Sequence, residues 1–188
     1  MGASFELTRH RFTVADYHKM AEAGILGKDD RVELIEGEIV AMAPIGSHHT
    51  SPVGRLNRIL IRSLGERAWV WVQNPVTLGV DSEPQPDLMV LKPRADAYEN
   101  AHPTAADVLL LIEVSDTSLA YDRGRKLELY AKHGIVETWI VDVQARRIEV
   151  YREPAPAGYK LCRVFEMGES IEPGEVSGVR IALADVFG

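Results

Sequence analysis

Two acidic residues, Asp87 and Glu113, are embedded in apolar stretches of strand length. Asp87 begins the apolar run 87–91, and Glu113 lies near the end of the run 108–114. A carboxylate among leucine, isoleucine and valine is unfavourable unless it is hydrogen-bonded, paired or bound to a cation. If the two strands are neighbours, the carboxylates could share a hard divalent cation such as Mg²⁺, which prefers oxygen ligands. The alternative is that backbone amides satisfy both acids.

Arginines recur along the segment 47–64, which has the apolar period of an amphipathic helix. Pro52 is expected in the first turn of this helix, where a missing N–H is tolerated. Opposite the apolar arc lie Arg55, Arg58 and Arg62. These arginines form either a solvated helix face or a surface that contacts phosphate groups.

The remaining patterns predict an α/β (α+β mixed) fold, in which a central mixed β-sheet is flanked by helices. The strand at 108–114 is apolar on both faces and is predicted to be central. One domain is expected over residues 1–188. The other predicted elements are a helix at 14–23, a hairpin at 31–42 that turns at Glu36-Gly37, strands at 69–73 and 76–80, a helix at 122–133, a second hairpin at 137–151, a loop at 154–158 and an edge strand at 159–165.

Composition narrows the class of protein. The chain has 188 residues, 46% of them hydrophobic, and a formal net charge of −7. An acidic chain is not expected to coat nucleic acid through general electrostatics, although it can place basic residues locally. With one cysteine, no apolar run near the roughly 18 residues of a membrane span and no apolar leader, a cytoplasmic protein is expected.

A set of short motifs runs along almost the whole chain and resembles the PD-(D/E)XK nuclease superfamily, in particular its Uma-type branch of restriction endonucleases. The pairing of Pro86-Asp87 with a glutamate that ends an apolar strand is the superfamily's mark. The motifs are Phe12-Thr13-Val14, Val32-Glu33-Leu34-Ile35-Glu36-Gly37-Glu38, Gly46-Ser47-His48-His49, Glu83-Pro84-Gln85-Pro86-Asp87, Ile112-Glu113-Val114, Tyr121-Asp122-Arg123, Lys126-Leu127 with Tyr130, and Glu137-Thr138-Trp139-Ile140-Val141-Asp142.

The resemblance implies a restriction-endonuclease-like core and a Mg²⁺-dependent endonuclease that hydrolyses DNA phosphodiester bonds. In such cores Asp87 and Glu113 would hold Mg²⁺, with Mn²⁺ as a substitute and the carbonyl of Val114 as a further ligand. RNA is not excluded as a substrate. A different class of function is also open, a nucleic-acid-binding or assembly module that keeps the fold with weak or no catalysis.

The lysine of the motif is displaced in this sequence. The superfamily usually has a lysine two residues after the glutamate, where this chain has Ser115. Resemblance to the Uma-type branch makes Lys126, on the next predicted helix, the substitute, whose ammonium group would orient a water and stabilise charge in the transition state. The alternative is that Lys126 is only the i,i+4 partner of Asp122 on a solvated helix.

Several residues have secondary roles in this interpretation. Glu33 is either an exposed acid or, since the family marks it, a third acidic ligand. His49 would position phosphate or water. Gln73 either donates a hydrogen bond to the substrate or is a structural amide. Arg55 and Arg58 are the residues expected to bind the DNA backbone.

Fold analogy also predicts a homodimer, because two-strand cleavage is often performed by paired active sites. The contact would come either from the apolar residues 139–141 of the second hairpin or from the edge strand at 159–165.

Overall fold

The computed structural model describes residues 9–27, 29–44 and 46–188. Within these ranges every helix is too short or too polar to span a bilayer. Internal contacts divide the chain into two compact units, the smaller formed by Met1–Met42 and Thr77–Pro84 and the larger formed by Ala43–Val76 and Gln85–Gly188.

The smaller unit contains a capped helix and a hairpin, as the sequence predicts. The helix is capped by Thr13, whose hydroxyl oxygen accepts the Asp16 amide N–H at 3.1 Å. Glu36 and Gly37 have φ angles of 49° and 75°, which suits the tight turn of a two-residue hairpin. The elements are α1 (Val14–Glu22), β1 (Val32–Ile35) and β2 (Glu38–Ala41).

The strand predicted at 76–80 is wrong. This segment forms a tight turn in which Leu78 pairs with Ser82 in an isolated bridge. Gly79, at φ 67°, allows the chain to reverse there. The apolar residues Val76 and Leu78 are buried without forming a strand, so their alternation came from a turn and not from a sheet.

The larger unit is built on a six-stranded mixed sheet with the order β3-β4-β5-β6-β7-β8. β5 and β6 are parallel, and the other neighbours are antiparallel. The predicted central position of the Glu113 strand, β5, and the predicted edge position of β8 are both confirmed. The strands are β3 (Trp69–Val72), β4 (Leu88–Leu91), β5 (Val108–Ser115), β6 (Glu137–Asp142), β7 (Arg147–Ala155) and β8 (Gly158–Phe165).

Helices lie on the sheet, as expected for this class. The first, α2, has the predicted bounds, but Pro52 lies in its second turn, where it removes the hydrogen bond to the His48 carbonyl. The helix predicted at 122–133 begins earlier and is interrupted by a π-helical turn, Asp122–Lys126. The helices are α2 (Ser47–Leu64), α3 (Leu119–Tyr121), α4 (Leu127–Lys132) and α5 (Leu183–Phe187), and a small second sheet pairs β9 (Ser170–Ile171) with β10 (Ile181–Ala182).

The two faces of the sheet have different roles. One face packs Leu88, Ile112 and Trp139 into a continuous apolar core with the buried side of α2. Since side chains alternate along a strand, Glu113 and Ile140 point to the other face. The π turn and α4 lie over that second face, because Lys126 and Tyr130 both contact Glu113.

The second hairpin does not offer the dimer contact that the sequence suggested. Trp139, Ile140 and Val141 are fully buried in β6, which has β5 and β7 as hydrogen-bonded neighbours.

The predicted loop at 154–158 is shorter than expected, because β7 continues to Ala155 and pairs there with Gly158.

Candidate active site

Asp87 and Glu113 meet at one end of the β4–β5 pair. Leu88 pairs with Ile112 in this antiparallel ladder, so the register brings the preceding residue, Asp87, opposite Glu113. Directly opposed residues have Cβ atoms roughly 4.5–5.5 Å apart. Both acids are buried, with 9% and 3% of their surface exposed. Asp87 is the residue just before β4 and not its first residue, so its side chain can turn towards the strand end.

Three protein groups bind the Asp87 carboxylate. The Val114 amide N–H donates to Oδ2 at 2.8 Å, and Gln73 Nε2 donates to Oδ1 at 3.3 Å. His49 Nε2 lies 3.0 Å from each carboxylate oxygen. The hydrogen bond to Asp87 raises the pKa of His49, because it favours the imidazolium form, although burial opposes the change. These contacts fix the orientation of Asp87.

Gln73 reaches Asp87 from a strained backbone position. It has a φ of 51°, which is uncommon for a residue other than glycine, asparagine or aspartate. The backbone amide N–H of Gln73 also donates to the backbone carbonyl of Asp87 at 3.1 Å. Backbone strain of this kind persists where surrounding contacts hold it, and such positions cluster at functional sites.

Glu113 is bound by two groups from the helical segment above it. Lys126 Nζ lies 3.2 Å from Oε1, and the Tyr130 hydroxyl donates to the same oxygen at 2.5 Å. Burial raises the pKa of Glu113 to about 8; the charge of Lys126 opposes this rise, while those of Asp122 and Asp87 add to it. In the absence of a further cation, the site therefore favours the protonated form of Glu113 at neutral pH.

The serine at the usual lysine position has a different partner. Ser115 Oγ donates to Asp122 Oδ2 at 2.7 Å, and Ser118 Oγ donates to the same oxygen at 2.5 Å. Burial raises the pKa of Asp122, and the nearby charge of Lys126 only partly opposes this rise. The idea of a solvated Asp122–Lys126 pair is wrong, because only 4% and 5% of these residues is exposed.

The donor set at this site fits a hard divalent cation. Its ligand atoms are carboxylate oxygens, and a bound cation would favour the ionised form of Glu113, which burial disfavours. Among the described residues, no group of three histidine, cysteine or acidic ligand atoms within 4.8 Å of one another includes Asp87 or Glu113. Two carboxylates with water in the remaining positions suit Mg²⁺, which keeps several waters, better than Zn²⁺. The carbonyl of Val114 as a further ligand stays a prediction.

Other predicted site residues belong to β1 and α2. Glu33 is buried on β1 of the smaller unit and pairs with Val40, so the exposed position expected for a lone glutamate is wrong. Its role as a third ligand stays a prediction. Arg55 and Arg58 lie on α2 and line an open groove of about 590 Å³ that also includes Asp185.

Sequence reasoning named Tyr130 only within a family motif and assigned it no contact with Glu113. Tyr130 follows Lys126 by four residues, a spacing that places two side chains on the same side of a helix. That spacing could have identified Tyr130 as the second group above Glu113. Ser118 has no comparable signal, because its contact with Asp122 depends on how the chain turns after β5.

Comparison with known proteins agrees with this architecture. The Uncharacterized protein sll1609 of Synechocystis is 26% identical over 165 residues, which cover 85% of this chain and 90% of that protein. The crystal structure of a putative nuclease belonging to DUF820 from Anabaena variabilis has a TM-score of 0.74 and 19% sequence identity, and the match covers 94% of this chain and 97% of that one. It shows that the two share a fold. The family model Uma2, described as "Putative restriction endonuclease", matches residues 14–184, so the chain belongs to this family.

Proposed function

We propose that the protein is a Mg²⁺-dependent endonuclease that hydrolyses DNA phosphodiester bonds, with Mn²⁺ able to replace Mg²⁺. The observation that supports this most is a buried carboxylate, Glu113, which lies opposite Asp87 and has an ammonium group 3.2 Å away. The family description supports a nucleic acid as the substrate. The fold shared with the Anabaena variabilis protein supports the architecture expected of such an enzyme.

Asp87 and Glu113 would hold the metal ion between two adjacent strands. A bound Mg²⁺ would polarise the scissile phosphate and lower the pKa of an attacking water. The protein supplies the orientation of the ligands. His49, Gln73 and the Val114 amide fix the Asp87 carboxylate. Loss of such a contact to a metal ligand commonly lowers metal affinity by about 10–100-fold.

Lys126 provides the positive charge that the superfamily usually places on the strand. Its ammonium group lies against Glu113 in a buried site, where electrostatic interactions are stronger than in water. From this position it would orient the water and stabilise the negative charge that develops on the phosphate oxygens. Ser115, which is hydrogen-bonded to Asp122, has no part in this step.

The DNA backbone would run along the exposed side of α2. Arg55 follows His49 by six residues, about 9 Å along a helix axis, and its guanidinium group would bind phosphates next to the scissile one. Arg58 lines the same open groove. Arginine suits phosphate because its planar fork donates two hydrogen bonds at once.

Cleavage of supercoiled plasmid DNA tests this proposal. We expect nicking by the wild type with Mg²⁺ or Mn²⁺, none with EDTA, and a loss of nicking in Asp87→Asn. Glu99→Gln, which changes an exposed acid in the loop after β4, is the matched control and should cleave like the wild type. A single-stranded RNA of mixed sequence, assayed in parallel, distinguishes DNA from RNA. Equal nicking by the wild type and Asp87→Asn would overturn the proposal.

A second candidate is a nucleic-acid-binding or assembly module with weak or no catalysis. It is favoured by the hydrogen bonds from three protein groups to the Asp87 carboxylate, which can satisfy this buried acid by themselves. Isothermal titration calorimetry discriminates between the two. No heat on adding Mg²⁺ or Mn²⁺ at millimolar concentration would favour the module, whereas metal binding that is lost in Asp87→Asn would favour the enzyme.

Of the two contacts predicted for a homodimer, the strand β8 is the one that lies at an edge of the sheet. Leu161 and Val164 are exposed on this strand, at 52% and 41%. Lys160 and Arg163 lie on the same strand, however, and cationic residues on an edge disfavour the pairing of two identical edges. Light scattering at high protein concentration decides whether a dimer forms.

A further inference from the structure

The lysine of the site is held by an unusual piece of helix. The segment from Leu119 to Lys132 is helical, but Asp122–Lys126 forms a π turn, in which the Leu127 amide N–H donates to the carbonyl of Asp122, five residues earlier. π turns are rare, occur mostly as single turns inside α-helices and are frequently found at functional sites. Since Lys126 is the last residue of this turn, the position of its ammonium group depends on how the turn is fixed to the sheet.

Arg123 provides a direct connection between the turn and the sheet. Its Nε donates to Glu149 Oε2 at 2.9 Å, and its Nη2 donates both to Glu149 Oε1 and, at 3.2 Å, to Asp142 Oδ2. This is the two-pronged geometry that arginine forms with carboxylates. Asp142 and Glu149 lie on β6 and β7, so Arg123 ties the turn to two strands of the sheet.

The Asp142–Glu149 pair also binds an arginine that does not belong to the turn. Arg147 lies on β7, with its Nε 3.3 Å from Asp142 Oδ2 and its Nη2 3.7 Å from Glu149 Oε1. Both acids are nearly buried, with 3% and 6% exposed, so each needs positive charge nearby. Arg123 and Arg147 therefore compensate the same two charges, but only Arg123 connects them to the segment that bears Lys126.

We infer that Arg123 is a positioning residue, which holds the π turn on the Asp142–Glu149 pair and thereby keeps the Lys126 ammonium group against Glu113. Its effect on cleavage rests on the function proposed above, whereas its effect on the placement of Lys126 does not. The alternative is that Arg123 only neutralises the two buried acids. In that case Arg147, which contacts the same acids from within the sheet, would be equivalent to it.

Chemical labelling of lysine tests the placement without any need for activity. The protein is treated with acetic anhydride, which acetylates an accessible amine with release of acetate, and the rate at Lys126 is compared by mass spectrometry with the rate at Lys160, which is exposed on β8. We expect Arg123→Gln to raise the rate at Lys126 by roughly tenfold, as local opening of the turn becomes easier. The matched control, Arg147→Gln, should leave the rate unchanged.

Equal rates at Lys126 in both variants, raised or not, would overturn the inference. Should Arg123→Gln fail to fold, Arg123→Lys decides the matter, because it keeps the charge but not the two-pronged contact. A rate at Lys126 in Arg123→Lys that equals the wild-type rate would then overturn the inference.

Cleavage kinetics test the consequence for the reaction. Arg123→Gln is expected to lower kcat by about 10–100-fold, the loss that follows a small misplacement of a catalytic group, with little change in KM for DNA. The same substitution in a Lys126→Met background should cause no further loss, since the residue acts through Lys126. A further loss there would overturn this step. If the wild type does not cleave DNA, the proposed function fails and the labelling result still decides the role of Arg123.

Discussion

Two buried glutamates on neighbouring strands, Glu113 on β5 and Glu137 on β6, have very different surroundings. Glu137 accepts hydrogen bonds from Trp139 Nε1 at 2.6 Å, the Gly174 amide N–H at 2.7 Å and Arg152 Nη2 at 2.9 Å. Glu113 accepts hydrogen bonds from an ammonium group and a phenol on one of its oxygens, two further acids lie nearby, and burial raises its pKa to about 8.

The difference is the one expected between a structural carboxylate and a functional one. A buried polar group that is fully hydrogen-bonded stabilises a fold, since its desolvation is compensated. A buried acid whose charged form is disfavoured lowers the stability of the fold, so its presence suggests a role in binding or catalysis. On this criterion Glu137 ties the loop at Gly174 to the sheet, whereas Glu113 is expected to act on a ligand.

The largest effect is expected from Glu113→Gln. This substitution removes one metal ligand and should reduce plasmid cleavage by about a thousandfold, at the upper end of the loss for one electrostatic group. It should not lower the free energy of unfolding in metal-free buffer at pH 8, because the amide carries no charge to bury. Cleavage assays and urea unfolding measure the two quantities. A variant that is destabilised but cleaves normally once folded would reverse the assignment.

The opposite result is expected for Glu137→Gln. Loss of this carboxylate leaves Arg152 without its ion pair and weakens the contacts of Trp139 and Gly174, so the free energy of unfolding should fall by about 2–3 kcal/mol. The cleavage rate per folded molecule should match that of the wild type. Urea unfolding measures the free energy of unfolding. Cleavage kinetics, corrected for the fraction of folded protein, measure the rate. Impaired cleavage at full stability would mean that the comparison between the two glutamates is mistaken.

A separate effect is expected in the pH dependence of stability. The pKa of Glu113 is higher in the folded protein, about 8, than the roughly 4.3 of an unfolded chain, so the folded state binds more protons between these values. The free energy of unfolding of the metal-free wild type, relative to Glu113→Gln, should therefore fall as the pH rises from about 4.5 to 8, by at most about 1.4 kcal/mol per pH unit.

Mg²⁺ should reduce this decline, because a cation that binds only the folded state stabilises it and favours ionised Glu113. Thermal unfolding at several pH values, with and without Mg²⁺, provides the measurement. Parallel curves for the wild type and Glu113→Gln would show that Glu113 does not titrate in this range.

Much of the fold follows from local patterns in the sequence. The alternation around Gly37, the apolar period of α2 and the continuous apolar run of β5 are properties of short segments, and the structure has all three elements. The strand predicted at 76–80 failed because Val76 and Leu78 are buried in a turn, which gives the same alternation as a strand. Whether an apolar residue is buried in a strand or in a turn depends on contacts with distant parts of the chain. These contacts cannot be predicted from one short segment.

The candidate site was predictable only in part. Asp87 and Glu113 stand out as acids in apolar runs, and family resemblance indicated Lys126. The contacts of Tyr130 and Arg123 depend on where the helical segment crosses the sheet and on a π turn, for which the sequence Asp-Arg-Gly-Arg-Lys has no recognisable signal. The fixed orientation of Asp87 depends on His49 and Gln73, which are 38 and 14 residues away along the chain.

The smallest effect is expected from Tyr130→Phe, which tests how firmly Glu113 is fixed. The substitution keeps the aromatic ring, which is fully buried, and removes only the hydroxyl that donates to Glu113 Oε1. We expect the free energy of unfolding to fall by about 1 kcal/mol, the usual net value of one hydrogen bond, and kcat to fall less than in Lys126→Met. Because Lys126 still contacts the same oxygen, Glu113 keeps one partner and the metal site should persist. A loss of cleavage as large as that in Glu113→Gln would show instead that the phenol, rather than the ammonium group, holds the carboxylate in place.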